Sequence, residues 1–343
     1  MLTTAPATRI RLSRVLPLLL AGVVCLAGIG LLTLMLGTPA APPHELVAIA
    51  RGGGTPLARL IVTQLRLPRL VLALLAGAML GLSGTLLQDT MRNPLGGPEL
   101  LGVTSGATII VAAITLLHLP VELALVPWLA LAGGLAAGAV VVLSVGRLGD
   151  PIRLVLTGAA LTALLNAGIF VLISYGNTND IALLYLFLVG SLANRTWNYV
   201  RLVLPWAIVG VPAALLCARA LNLLQLGDDV ARGLGLPVGR VRLLTLALGA
   251  ALVAAVVAVA GPIAFIALLA PHLARRLLRT SDARQVLPLA ALLGALLLSA
   301  ADLLARRAFA PLDLPVGAFT TLIGGPILVV LLRRRLGARR GAA

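Results

Sequence analysis

Long apolar runs separated by short polar segments dominate the chain. Most runs have about 18 to 23 residues, and a helix of about 20 residues at 1.5 Å per residue crosses a hydrocarbon core of about 30 Å. The runs lie at 15–36, 70–88, 100–117, 123–145, 154–174, 200–218, 241–260, 262–274, 286–304 and 315–332. Helices satisfy their own backbone hydrogen bonds in lipid. The pattern therefore predicts an all-α integral membrane protein with about ten transmembrane helices.

Three of these segments need separate treatment. The run at 262–274 is short and contains Pro271, which predicts a bent or partly re-entrant helix. Residues 183–193 form a candidate additional short segment. The first run is longer than the 7 to 15 residues of a signal-peptide core, so we expect it to be retained as the first helix.

Composition supports the membrane assignment and limits the domain organisation. The 343 residues are 60% hydrophobic and 11% charged, with a mean hydropathy of +1.08, whereas soluble domains have about 25% charged residues. No soluble domain of more than about 35 residues fits between the runs. We expect a single transmembrane domain over 1–343, with an N-terminal tail at 1–14, a loop at 219–240 and a basic tail at 333–343.

The distribution of arginine predicts the orientation. All 27 basic residues are arginines. With ten crossings, 19 of them fall on the face that carries both termini and 8 on the opposite face. Because basic residues are enriched in cytoplasmic loops, both termini are predicted to be cytoplasmic.

The sequence offers little for catalysis or metal binding. Its three histidines are far apart without an HExxH pattern, both cysteines lie inside apolar runs, and no GxxxxGK[ST] phosphate-binding loop is present. The scattered arginines do not form the basic soluble face that nucleic-acid binding needs. We therefore expect no catalytic residue, metal site or cofactor in this chain.

Acidic residues are scarce in the predicted spans, where only Asp302 and Asp89 fall in or near a helix. Carriers driven by protons or sodium usually need several ionisable groups within the membrane. The energy source is therefore expected to lie outside the chain. An ion-coupled secondary transporter and an intramembrane enzyme remain the alternatives from other classes.

Several short motifs occur in a fixed order along the chain. They are RLPR at 66–69, GAMLGLSG at 77–84, NPLGGP at 93–98, LGVTSGA at 101–107, GPIAFIALLAPHLAR at 261–275, ADLLAR at 301–306, LPVG at 314–317 and GGP at 324–326. Together they resemble the iron-siderophore, cobalamin and haem family of ABC importer permeases, the FecCD type, from about residue 60 to 332. The paired glycines Gly77 and Gly81 also predict close helix contact.

The resemblance implies a ten-helix subunit of the bacterial inner membrane that forms a translocation path at the interface with a second permease subunit. It further implies two cytoplasmic ATP-binding subunits and an extracytoplasmic substrate-binding protein as partners. Iron(III)-siderophore is the expected cargo, with haem or cobalamin as alternatives. The absence of an ATP-binding motif agrees with a separate ATPase.

The resemblance also suggests roles for particular residues. Arg66, Arg69 and Arg306 correspond to arginines that receive acidic residues of the binding protein; anchoring of helix ends among lipid headgroups is the alternative. The loop at 219–240 corresponds to the segment that couples to the ATPase. Within that loop, the coupling residues are expected to be Asp228, Ala231, Gly233 and Leu234.

Four further polar residues lie at or near helix interiors. Gln88, Asn93 and Asn166 are interpreted first as structural hydrogen-bonding groups, because an unpaired amide is costly in lipid, and second as residues lining the path. Asp302 lies four residues before Arg306, so the two are expected to share a helix face and to pair. That pair would orient the docking arginine.

Overall fold

The computed structural model describes residues 12–37, 39–144, 151–310 and 312–340, which form helices and loops without a β-strand among them. In chain order the helices are α1 (Leu12–Met35), α2 (Pro43–Ala50), α3 (Pro56–Leu60), α4 (Leu67–Thr90), α5 (Val103–Leu116), α6 (Val126–Ser144), α7 (Pro151–Tyr175), α8 (Thr178–Val189), α9 (Trp197–Leu216), α10 (Ala218–Gln225), α11 (Asp228–Gly233), α12 (Val238–Ala260), α13 (Ile266–Leu278), α14 (Ala283–Arg307) and α15 (Val316–Arg340). The predicted all-α class is confirmed. Residues 1–11 and 341–343 of the two predicted tails lie outside the described residues.

Most predicted runs coincide with long apolar helices. Among the residues that the structure describes, seven stretches are long and apolar enough to cross a membrane, namely Val15–Met35, Pro56–Thr90, Val126–Ser144, Arg153–Tyr175, Trp197–Leu216, Val238–Ala260 and Ala283–Arg307. Three shorter apolar helices are Val103–Leu116, Thr178–Val189 and Val316–Leu328. A multi-pass membrane protein follows from these lengths and compositions. The count of about ten crossings and the cytoplasmic termini stay predictions.

The short segments differ from their predicted bounds. The run at 262–274 becomes α13, which begins four residues later at Ile266, because Phe265 adopts a left-handed conformation (φ 68°) that interrupts the helix. Its 13 residues span about 20 Å at 1.5 Å per residue, less than a hydrocarbon core. The candidate segment at 183–193 lies largely within α8, which starts earlier at Thr178.

Helix α4 lies at the centre of the bundle, where it packs against α14, α12, α13 and α9. Its contact with α14 depends on glycine. A Cβ atom on Gly77 would lie less than 3.0 Å from the carbonyl oxygen of Gly294, and one on Gly81 would meet the carbonyl oxygen of Ala290 equally closely. The close contact predicted for this glycine pair is confirmed, because the two backbones touch directly.

The helix that contains α4 begins much earlier than the predicted run at 70–88. It extends back to Pro56, which lies in the first turn of α3, where a missing N–H costs nothing. Residues Ile61–Arg66 are wound as a π-helix immediately before Pro68, which has no N–H to donate to the preceding turn. Such π segments frequently occur at functional sites. Here the segment ends at Arg66.

Candidate functional site: two charged clusters at opposite ends of the bundle

The Arg69 side chain forms a buried ion pair at the start of α4. Its Nε lies 3.0 Å from both carboxylate oxygens of Asp302, and its Nη2 lies 2.8 Å from Oδ1. Arg69 is 6% exposed and Asp302 1% exposed. Nη1 of Arg69 also lies 3.1 Å from Oδ2 of Asp313, whose side chain is half exposed. One planar guanidinium thus joins α4, α14 and the segment before α15.

The other two predicted docking arginines bind the carboxyl end of α1. Arg66 donates from Nη1 to the carbonyl oxygen of Leu34 (2.7 Å) and from Nη2 to that of Pro39. Arg306 donates from Nη2 to the carbonyl oxygen of Thr33 (3.2 Å). The last carbonyls of a helix have no partner within it and attract cations. Both side chains are therefore engaged within the subunit.

The expected pairing of Asp302 with Arg306 is present only as a long contact. Nε of Arg306 lies 3.9 Å from Oδ2 of Asp302, whereas all the short contacts of that carboxylate are with Arg69. The reason is that Arg306 directs its Nη2 toward α1. Asp302 therefore orients Arg69, which the spacing along the helix did not indicate.

A pocket of about 200 Å³ opens beside these residues. We define the Arg69 cluster as Arg66, Arg69, Arg195, Arg306 and Arg307 together with Asp302 and Asp313. Its five guanidinium groups outnumber its two carboxylates, which leaves three unmatched positive charges. The structure thus brings together the three predicted arginines. It adds Arg195, Arg307 and Asp313, which sequence reasoning did not assign to the site.

The two added arginines are both at least partly exposed. Arg307 is exposed, and the partly exposed Arg195 places its guanidinium 4.5 Å from the ring centroid of Tyr199, a cation–π contact. A signal for them existed in the sequence. Arg307 follows Arg306 directly, and Arg195 was counted on the same predicted face.

A second cluster surrounds Asp228, the first residue of α11. Its Oδ1 accepts hydrogen bonds from Arg92 Nη2 (2.7 Å) and Arg242 Nη2 (2.9 Å), and its Oδ2 accepts one from Arg242 Nη1 (3.1 Å). Nη2 of Arg232 lies 3.9 Å from Oδ2. These four residues are the Asp228 cluster. The hydrogen bonds from Arg242, with the charges of Arg92 and Arg232, hold the pKa of Asp228 below its usual value.

The remaining predicted coupling residues lie on different sides of α11. Ala231 is fully buried against the body of the protein, whereas Gly233 and Leu234 are exposed. Leu226, Val230 and Leu234 recur every fourth residue and are each more than half exposed. Val230 and Leu234 are one turn apart at the end of α11, where the Leu234 N–H donates to the carbonyl oxygen of Val230 (3.0 Å), so these two residues form an apolar stripe on one face of the helix. Leu226 lies at the end of α10, before the turn at Gly227. The segment therefore has one face held to the protein and one apolar face that is uncovered in the subunit.

An ion pair between the buried Asp89 and the partly buried Arg275, which sequence reasoning missed, lies near the end of α4. Nη2 of Arg275 lies 2.8 Å from Oδ1 of Asp89, and its Nη1 donates to Oε1 of Gln88 (2.6 Å). Gln88 also donates to the carbonyl oxygen of Leu268 (3.3 Å). The only signal was the acid at position 89 and the arginine that ends the motif at 261–275. These side chains line a pocket of about 270 Å³ that Arg92 also borders.

The other two predicted polar residues also have hydrogen-bond partners. Oδ1 of Asn93 accepts from the backbone N–H of Leu95 (3.0 Å), which is a local turn contact. Oδ1 of Asn166 accepts from the hydroxyl of Ser105 (3.0 Å) and joins α7 to α5. These contacts agree with the structural interpretation, while Asn166 is also exposed on α7.

Within the described ranges, no group of three or more His, Cys, Asp or Glu side chains could hold a metal ion. The two charged clusters are therefore the candidate sites. They lie at opposite ends of α4. Arg69 and Asp89 are twenty residues apart, about 30 Å along a helix that rises 1.5 Å per residue.

Comparison with known proteins identifies the family. The sequence matches the FecCD transport family over residues 23–334. The Fe(3+) dicitrate transport system permease protein FecD of Escherichia coli (strain K12) is 39% identical over 311 residues, covering 91% of this chain and 96% of the relative. The hemin transport system permease protein HmuU of Yersinia pestis is 42% identical over 287 residues, covering 81% and 84%.

A solved structure supports the same fold. It is described as an inward-facing conformation of an ABC transporter assigned to the metal-chelate type, and it matches with a TM-score of 0.84 at 28% identity, covering 93% of this chain and 99% of that one. Permeases of this class are not enzymes, since the ATPase is a separate subunit, so the prediction that this chain is not an enzyme is confirmed. The family also decides against the secondary-transporter and intramembrane-enzyme alternatives. The chain, with its motifs in order and its all-helical membrane fold, belongs to the FecCD transport family of ABC transporter permeases.

Proposed function

We propose that the chain is the permease subunit of a binding-protein-dependent importer of iron(III) chelates, with iron(III)-siderophore as the first choice of cargo. The observation that carries the proposal is the family match over residues 23–334. Relatives named for Fe(3+) dicitrate, ferric enterobactin and hemin support the cargo class. Haem or cobalamin is the alternative cargo. The chain needs no cofactor of its own in this proposal.

The proposed complex lies in a bacterial inner membrane and contains a second permease subunit, two ATP-binding subunits and a substrate-binding protein. The excess of arginine on the face of the termini supports placing the Asp228 cluster in the cytoplasm. The Arg69 cluster then faces outward. In this arrangement the binding protein docks at one end of α4 and the ATPase at the other.

Docking of the binding protein at the Arg69 cluster is supported by the three unmatched positive charges. Arg195 and Arg307 are accessible, while the buried Arg69 and its partner Asp302 give the site a fixed frame. Acidic side chains of a binding protein are the complementary ligand. Exposed ion pairs contribute only about 0.2 to 1 kcal/mol each, so the cluster would set orientation and association rate more than affinity.

Coupling to the ATPase through α11 is supported by the exposed apolar stripe of Val230 and Leu234. A short helix that presents apolar side chains on one face suits insertion into an apolar groove of a partner. Gly233 beside the stripe permits close approach. The buried Ala231 has a different role in this proposal, which is to pack the helix on the permease.

The transport step is proposed to be alternating access. A loaded binding protein docks outside, ATP draws the two ATPase subunits together inside, and the coupling segments transmit that movement to the two permease subunits. The scarcity of charged side chains in the spans suits a path that binds a bulky cargo weakly. Asn166, exposed on α7 and polar within an apolar helix, is the candidate among the predicted polar residues for lining this path.

The test is uptake by proteoliposomes that contain the chain, its second permease subunit if distinct, and its ATPase. Ferric siderophore, ferric citrate, haem and cobalamin are offered, each loaded on the binding protein. We expect ATP-dependent uptake of a ferric chelate that requires the binding protein. Uptake of haem or cobalamin without uptake of ferric siderophore or ferric citrate would contradict the proposed cargo. Transport that persists without the ATPase or the binding protein would contradict the proposed mechanism.

A further inference from the structure

Helix α11 is joined to two long helices, α4 and α12, through the carboxylate of Asp228. Arg92, two residues after the end of α4, and Arg242, in the second turn of α12, both donate to Asp228 at distances of 2.7 to 3.1 Å. Arg242 contacts both carboxylate oxygens, a geometry that fixes direction as well as distance. The side chain of Asp228 therefore stands at the junction of α4, α11 and α12.

Burial makes this junction more than a surface ion pair. Arg242 is 3% exposed, and the side chain of Asp228 is 22% exposed. A buried guanidinium that loses its carboxylate is strongly unfavourable, so this pair resists separation. Exposed pairs elsewhere on the segment lack that constraint. The side chain of Asp229, for instance, is 98% exposed, and its ion pair is with the exposed Arg232.

The backbone is arranged to place Asp228 at this point. Gly227 adopts φ 105° and Arg92 φ 50°, both in the left-handed region. The first lets the chain turn sharply from α10 into α11, and the second ends α4 with its arginine directed at the turn. A side chain at residue 227 would be strained by this φ whatever space surrounds it.

The same end of α4 is also held from its other side. Arg275 of α13 pairs with Asp89, three residues before Arg92, and this pair and Arg92 border one pocket of about 270 Å³. A displacement of the end of α4 would therefore carry α13 with it. The exposed face of α11, in contrast, has only the apolar stripe and remains free to bind a partner.

We propose that Asp228 is the positioning residue that makes α11, α4 and α12 move as one unit, so that a force applied to the apolar stripe reaches both long helices. This inference rests on the proposed function, in which α11 contacts the ATPase. Asp228 itself lies on the permease side of the segment and does not need to touch that subunit. Arg92 and Arg242 act through it.

The experiment compares Asp228→Asn with its neighbour Asp229→Asn, which removes the same charge one residue away. In the permease alone in nanodiscs, loss of a hydrogen-bonded charge should speed hydrogen exchange of the amides at 228–234 by about tenfold in Asp228→Asn. Asp229→Asn should match the wild type. In the full complex, Asp228→Asn should retain ATPase binding and ATP hydrolysis but transport about fivefold less cargo per ATP.

Two further variants separate coupling from simple loss of structure. Asp228→Glu retains the charge and should restore most of the cargo transported per ATP. Arg92→Gln combined with Asp228→Asn should be little worse than Asp228→Asn alone, because both remove the same contact. A merely structural defect would instead lower assembly and hydrolysis together.

The outcomes that overturn the inference are distinct from failure of the proposed function. Unchanged exchange and unchanged transport per ATP in Asp228→Asn would overturn it. Loss of ATPase binding with unchanged exchange would also overturn it, since Asp228 would then contact the ATPase directly. If the wild-type complex shows no ATP-dependent uptake, the proposed function fails, and the exchange measurement still decides whether Asp228 holds α11.

Discussion

The Arg69 cluster and the Asp228 cluster both gather arginines around carboxylates, but they differ in charge balance. The Arg69 cluster has five arginines and two aspartates, whereas the Asp228 cluster has three arginines that share one aspartate, with Asp229 paired beside it. The principal pair of the first, Arg69 with Asp302, is buried on both sides. The principal acceptor of the second remains partly exposed.

This difference suggests two kinds of partner recognition. Positive charge in excess on a rigid frame suits an acidic partner and gives orientation and association rate. The Asp228 cluster together with Asp229 has three arginines and two aspartates, which leaves one positive charge unmatched against three in the Arg69 cluster, and the adjacent exposed surface is the apolar stripe of Val230 and Leu234. Binding at that end would depend on buried apolar area, which salt affects little.

The largest effect is expected from breaking the buried ion pair between Arg69 and Asp302. Asp302→Asn keeps the shape of the side chain but removes its charge, which leaves the buried Arg69 with the half-exposed Asp313 alone. Removing one partner of a buried pair typically costs about 3 to 5 kcal/mol. We expect the lower end of that range, measured as a lower thermal unfolding midpoint in detergent.

The matched control is Asp313→Asn, which removes the other carboxylate that contacts the same guanidinium. Because its side chain is half exposed, the cost should be below about 1 kcal/mol. Equal melting temperatures for the two variants would show that the buried pair of Arg69 with Asp302 stabilises the protein no more than the exposed contact with Asp313.

The sequence predicted the members of the Arg69 cluster better than it predicted which of them contact each other. The family resemblance, carried for these residues by the RLPR and ADLLAR motifs, pointed to Arg66, Arg69 and Arg306, which the structure does bring together. The pairing was anticipated from the i,i+4 rule, which concerns one helix. The short contact instead joins Arg69 to Asp302 across 233 positions of sequence, and no local pattern encodes which helices meet.

The same limit applies to the fold. Apolar periodicity located the helices because lipid requires about 20 apolar residues for each crossing. It did not reveal the extension of α4 back to Pro56, since residues 56–69 contain Arg59, Arg66 and Arg69. It also could not place Arg242 beside Asp228 or Arg275 beside Asp89, because those contacts depend on how α12 and α13 pack against α4.

The second effect concerns the unmatched charge of the Arg69 cluster. Arg195→Glu combined with Arg307→Glu reverses its two accessible charges and leaves Arg69 and Asp302 in place. Two lost attractions of about 0.2 to 1 kcal/mol each, with repulsion added, should weaken binding of the substrate-binding protein by about tenfold. Affinity is measured with the loaded binding protein and the permease in nanodiscs.

Arg232→Glu is the matched control, since it reverses an exposed arginine at the other end of the molecule. It should leave affinity for the binding protein unchanged. If it weakens binding as much as the double variant, the effect comes from net charge, and the Arg69 cluster is not the docking site.

A smaller effect is expected from salt, and it should separate the two ends of the molecule. Raising the ionic strength from 0.1 to 1 M shortens the Debye length from about 10 Å to about 3 Å. Binding of the substrate-binding protein should weaken severalfold, mainly through slower association. The amount of ATPase that binds to the wild-type permease should be the same at both salt concentrations. It should fall in Leu234→Ala, which removes part of the apolar stripe. The reverse pattern would exchange the two assignments.

The smallest expected effect is that of pH on the Asp228 cluster. The guanidinium of Arg242 lowers the pKa of Asp228 below its usual value, so the stabilisation it gives is fully present above the ordinary pKa of about 3.9. It is lost only as pH falls through the lower pKa of the folded protein. Hydrogen exchange of residues 228–234, corrected for the intrinsic rate, should therefore be constant from pH 8 to pH 5 in the wild type. Its difference from Asp228→Asn should be constant as well. A difference that disappears near pH 6 would mean that the carboxylate is protonated there, which an ion pair with Arg242 does not allow.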